Sequence, residues 1–72
     1  MEQLTIDGIT YNVLKSETAD DIEAERPNTA REMRKGGTLR ILVLQRPKGK
    51  KYHVAYQYPK HPWRAEYRVV SI

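Results

Sequence analysis

The pair Asp7-Gly8, set between Leu4-Thr5-Ile6 and Ile9-Thr10-Tyr11-Asn12-Val13, constrains this chain more than any other feature. A two-residue Asp-Gly link is the favoured type I′ hairpin turn, because both of its residues must adopt positive φ. The turn pairs Ile6 with Ile9 and Leu4 with Tyr11. Side chains alternate between faces along a strand. Leu4, Ile6, Ile9, Tyr11 and Val13 therefore share one face, and Thr5, Thr10 and Asn12 share the other.

A hairpin must pack on something, and 72 residues make only one small domain, residues 1–72. A chain this short buries about 60% of the surface its unfolded form exposes, so it needs a dense core, a staple or a partner. Cysteine is absent, which removes disulfides and thiolate zinc sites. Two histidines without cysteine nearby make a poor metal site, so no cofactor is expected. A hydrophobic share of 39% suits a small folded domain rather than a disordered segment. No apolar run approaches the ~20 residues of a membrane span, and no apolar leader opens the chain. The expectation is a cytoplasmic protein with no membrane partner.

Residues 16–37 read as a helix in two pieces. Thr18 can cap the first, with Asp20, Asp21 and Glu23 near its positive end. Pro27 disfavours helix at Arg26. Thr29 and Glu32 form a capping-box pattern for the second piece, Arg34 and Lys35 suit its negative end, and Gly36-Gly37 stops it.

From Thr38 onward the pattern is strand. Thr38–Gln45 is apolar on both faces and should be central. The turn Arg46-Pro47-Lys48-Gly49-Lys50-Lys51 sets Gln45 opposite Tyr52, Val43 opposite Val54 and Ile41 opposite Tyr56. A four-residue loop Pro59-Lys60-His61-Pro62 would set Tyr58 opposite Trp63, Tyr56 opposite Ala65 and Val54 opposite Tyr67. That register gathers Leu39, Ile41, Val43, Tyr52, Val54, Tyr56, Tyr58, Trp63, Ala65, Tyr67 and Val69 on one face. The opposite face then carries Arg40, Arg46, Lys51, His53, Gln57, Arg64, Glu66 and Arg68 around Leu42, Leu44 and Ala55. The fold expected is α+β, in the order ββ-helix-βββ: a small, strongly twisted antiparallel sheet, curled toward a barrel, with one broken helix. The aromatic face reads as core, because a chain without Phe needs its rings inside. Tyr58 and Trp63, beside a loop, are the exceptions. The Leu42, Leu44 and Ala55 centre would then want a covering partner, which favours a homodimer.

Charge divides along the same chain. Residues 1–32 carry eight acids and three bases, a net −5, whereas residues 33–72 carry ten bases and one acid, a net +9. A basic half of this strength attracts polyanions, and nucleic acid is the commonest polyanion in a cell. Arg46, Lys48, Lys50 and Lys51 concentrate at one hairpin tip, and a basic β-ribbon can enter a groove or follow phosphates. Arg40, Arg64 and Arg68 would extend the track, with Lys60 in the following loop. The bland alternatives are a solvated turn for the bases and a solvated helix face for Asp20, Asp21, Glu23 and Glu25. His53 and His61 have no partner at ligand spacing, and Ser16 and Ser71 lie in no nucleophile motif, so catalysis is not expected. Gly36-Gly37 ends a helix, so it makes no phosphate loop.

Ile-Asp-Gly-Ile-Thr-Tyr and Arg-Pro-Lys-Gly-Lys-Lys-Tyr resemble stretches of small accessory proteins of bacteriophages. That resemblance implies one of two roles: binding nucleic acid, or binding and blocking a host protein. The expectation is a non-enzymatic nucleic-acid-binding domain that contacts phosphates with little sequence preference. The alternative is a phage-type interaction module that docks a host protein or acts in virion assembly.

Overall fold

A computed structural model describes residues 2–61 and 64–71, with the backbone alone for residues 60, 61, 64 and 71. The elements run β1 (Gln3–Ile6), β2 (Ile9–Glu17), α1 (Ala19–Ile22), α2 (Pro27–Gly36), β3 (Arg40–Gln45), β4 (Tyr52–His61) and β5 (Arg64–Ser71). The strands lie in chain order in one sheet, each antiparallel to the next. The sheet curls into a half-barrel, and the class is α+β with sheet predominating.

The first hairpin forms as its turn chemistry requires. Asp7 and Gly8 take φ of 51° and 81°, and Ile6 lies opposite Ile9, Leu4 opposite Tyr11. Its polar face is laced by Gln3 Nε2 donating to Asn12 Oδ1 at 2.9 Å and by the Thr5 and Thr10 hydroxyls, 3.0 Å apart. Ser16 and Glu17, expected as helix, instead continue β2. A bulge between Val13 and Lys15 shifts the register by one residue, so Val13 faces Leu44 and Ser16 faces Leu42 on the same side.

Thr18 caps α1 in a capping box. Its hydroxyl accepts from the Asp21 N–H at 3.2 Å, and the Asp21 carboxylate accepts from the Thr18 N–H at 2.8 Å. The Thr18 N–H, foremost, and then the Thr18 hydroxyl hold the Asp21 carboxyl below its ordinary range. The chain breaks at Arg26, whose φ of −134° and ψ of 67° lie outside the helical region that the following proline disfavours. α2 then starts at Pro27 rather than at a Thr29 cap: proline at the first helical position has a preset φ and needs no N–H partner. Gly37, with φ 74°, closes α2. Its N–H donates to the Arg34 carbonyl at 3.3 Å and the Thr38 N–H donates to the Met33 carbonyl at 2.8 Å.

The interior differs from expectation. The concave face buries Ile6, Tyr11, Val13, Leu42, Leu44 and Ala55, with Leu4, Ile9, Tyr67 and Val69 packed against them. Leu42, Leu44 and Ala55, expected to want a partner, are 0% exposed within this one chain. A second, smaller cluster lies on the outer face. Ile22, Ala30 and Met33 of the helices pack there with Ala19 and Ile41. Hairpin and helices therefore cover opposite faces of β3, which explains why β3 is apolar on both sides.

The β3–β4 register is as expected, with Val43 opposite Val54 and Ile41 opposite Tyr56. The β4–β5 register is not. Tyr58 lies opposite Glu66, Tyr56 opposite Arg68 and Gln57 opposite Tyr67. Strand β4 runs through Pro59 to His61, with an irregularity between those two residues, so no four-residue loop forms. Proline is tolerated at 59 because the β3–β4 ladder ends at Arg40 and Gln57, which leaves Pro59 paired only with β5. The offset moves Tyr67 and Val69 into the concave core and puts Glu66 and Arg68 on the outer face with Tyr56 and Tyr58. Trp63, expected opposite Tyr58, lies outside the described residues.

Candidate nucleic-acid interface

The β3–β4 turn projects four bases from the end of the sheet. Arg46, Lys48, Lys50 and Lys51 are all exposed. Its shape is fixed by the Gly49 N–H donating to the Arg46 carbonyl at 3.0 Å. Arg46 borders a cavity on each side of the turn, each of about 520 Å³. Gly49, Lys50, Lys51 and His53 complete one, and Thr10, Pro47, Lys48 and Gly49 the other. In the first, His53 meets Tyr11 edge-on with ring centroids 5.7 Å apart, and its Nδ1 is buried without a hydrogen bond.

The ion pairs among the described residues lie elsewhere in the chain. Lys15 and Arg26 pair with Glu17 at 3.8 and 2.9 Å. Arg34 pairs with Asp20 and Glu23 at 2.8 and 2.7 Å, and these contacts raise its pKa further, the Glu23 hydrogen bond most. No acid among the described residues pairs with Arg46, Lys48, Lys50 or Lys51. Some of the acids of the chain's first half are thus engaged with nearby bases, and the tip keeps its positive charge for whatever approaches.

Arg40 has a different occupation from the one its position in the basic half suggests. It closes one end of the half-barrel. Its guanidinium donates to Ser16 Oγ at 3.1 Å, pairs with Glu2 at 3.2 Å and bonds Gln57, which in turn donates to the Tyr67 hydroxyl at 3.3 Å. The Glu2 carboxylate, foremost, raises the Arg40 pKa against the opposing effect of burial. With a side chain 23% exposed, Arg40 is a structural cation and not a free phosphate contact. Arg68 lies on the outer face opposite Tyr56, away from Arg40, and forms no ion pair with a described residue. The side chains of Lys60 and Arg64 lie outside the described residues.

Sequence reasoning missed Tyr52 and Tyr56 as outward-facing groups. Tyr52 is 53% exposed and Tyr56 half-buried. Alternation placed both beside Val54 but could not tell the concave side from the convex one.

Among the described residues no group of three or more His, Asp or Glu stands ready to hold a metal ion. No helix among them is long and apolar enough to cross a membrane. The chain matches no known family model, no curated protein and no solved structure.

Proposed function

We propose that this chain is a small, non-enzymatic nucleic-acid-binding protein whose β3–β4 tip grips phosphates. One observation carries the reading: four bases converge at one turn with no acid of the described residues at ion-pair distance, while Lys15, Arg26, Arg34 and Arg40 each have one. Lysine and arginine at an exposed tip contact the backbone without reading bases, so binding should be tight at low salt and weakly selective.

The test is a titration of duplex DNA, single-stranded DNA and RNA at about 150 mM salt, where charges are screened over roughly 8 Å. Log K should fall linearly with log salt, and replacing Lys48, Lys50 and Lys51 together by Gln should flatten a duplex slope by about two to three. The fold should survive, since these side chains are exposed and unpaired. No saturable binding to any of the three would reject the reading. A stoichiometric protein partner retained after nuclease would then favour the host-protein alternative.

A further inference from the structure

The helices cover only one end of the outer face. Beyond Ile41 no helix among the described residues packs on that face, and its strand order fixes what it displays. Along β4 stand Tyr52, Val54, Tyr56 and Tyr58, with Val43 beside Val54 on β3. Val70, Arg68 and Glu66 lie beside Val54, Tyr56 and Tyr58 on β5. Tyr52 is 53% exposed and Val70 41%, while Tyr56 and Tyr58 are half-buried. Three phenol rings thus lie in one row about 20 Å long, at a rise of ~3.4 Å per residue.

Neither buried cluster among the described residues includes these rings, and Tyr52 in particular stands largely clear of the chain's own packing. Its charged surroundings say what suits it. Lys50 and Lys51 immediately precede Tyr52, and Arg68 flanks Tyr56. The acids Asp20, Asp21, Glu23 and Glu25 sit on the helical segment, which packs against Ile41 at one end of the face.

Partly exposed rings in a row, with Lys50 and Arg68 beside them, match a ligand that offers flat π-faces and regularly spaced negative charge. We infer that the outer face binds single-stranded nucleic acid, with bases stacked on Tyr52, Tyr56 and Tyr58 and phosphates held by Lys50 and Arg68. A duplex keeps its base faces inside the stack and offers these rings nothing, whereas unpaired bases of DNA or RNA can lie on any aromatic surface. This inference rests on the nucleic-acid reading above and narrows it from polyanion to single strand.

The experiment compares a 15-nucleotide thymidine strand, a 15-nucleotide uridine strand and a 15-base-pair duplex at equal salt, using the full chain. The single strands should bind at least tenfold more tightly than the duplex. Tyr52→Ala should weaken single-strand binding roughly tenfold, a typical loss for one stacked base. Tyr52→Phe should restore it. Neither variant should move duplex affinity or thermal stability by much, because the Tyr52 ring is exposed. Equal or tighter duplex binding, or single-strand binding that ignores Tyr52→Ala, overturns the stacking surface and leaves phosphate binding at the tip intact. Failure to bind any of the three overturns both readings. A gap of more than tenfold between thymidine and uridine strands would show discrimination at the sugar or at the thymine methyl, and so contradict stacking as the chief contact.

Discussion

Leu44 and Tyr52 show how position, not residue type, decides a side chain's part. Leu44 is 0% exposed and sits between Val13 and His53 in the ladder, at the centre of the concave core. Leu44→Ala removes about three methylene-sized groups and leaves a cavity, so it should cost roughly 2–5 kcal/mol. The larger Tyr52 spends half its surface in water, and Tyr52→Ala should change stability by no more than about 0.5 kcal/mol. Urea denaturation of both variants checks the pair. A comparable loss in each would mean that the outer face is part of the core after all. Arg40 makes the same point for charge. It belongs to the basic half by sequence, yet its place beside Glu2, Ser16 and Gln57 makes it part of the barrel's end.

Turns decide the elements, and they decided how much of them was legible. The Asp7-Gly8 link names its own geometry, so the β1–β2 pairing could be read directly. The β3–β4 pairing was equally safe, since a two-residue and a four-residue turn centred on Lys48-Gly49 give one register. The β4–β5 link offered no such chemistry. Two prolines suggested a loop, but a proline is excluded from a strand only where a neighbour needs its N–H, and Pro59 lies past the end of β3. The resulting offset of three residues reversed the facing of β5 and with it the fate of Tyr67 and Arg68. The tip of the candidate interface was therefore plain in the sequence, and its aromatic row was not. Alternation says which residues share a face, but the curl of the sheet decides which face is inside. Here the inner face holds Leu42, Leu44 and Ala55 with Tyr11 and Tyr67, and Tyr52, Tyr56 and Tyr58 are left on the outside.

Two adjacent glycines at the end of α2 should separate in their response to the same change. At neither does an added Cβ meet any atom within 4 Å. Gly36 is helical, so Gly36→Ala should stabilise by about 0.5–1 kcal/mol through lost freedom in the unfolded chain. Gly37 has φ 74°, where an L side chain crowds its own backbone, so Gly37→Ala should destabilise by about 1–2 kcal/mol. Thermal melts of the two variants should shift in opposite directions.

At the scale of the whole molecule, one sheet is clothed on its two sides by different means. The concave side is filled by the ends of the sheet folding toward each other, Leu4 and Ile9 from one and Tyr67 and Val69 from the other. The expected need for a second copy to cover Leu42, Leu44 and Ala55 disappears with that arrangement. Among the described residues, the helices clothe the convex side where Ile22, Ala30 and Met33 meet Ile41. The acids of the helical segment thus sit toward that end of β3, and the bases of the β3–β4 tip stand at its other end.

The two apolar clusters share no buried residue, and that separation has a kinetic consequence. Ile22, Ala30 and Met33 can leave Ile41 without disturbing Leu42 or Leu44, which face the other way. The segment from Thr18 to Thr38 should therefore open as a unit while the sheet stays closed. Native-state amide hydrogen exchange would register this as two groups of protection. The α2 amides from Ala30 to Gly36 should exchange with one shared opening free energy, below that of the β2–β3–β4 ladder. A single common value for helix and sheet amides would show instead that the sheet cannot hold its curl without its helical cover.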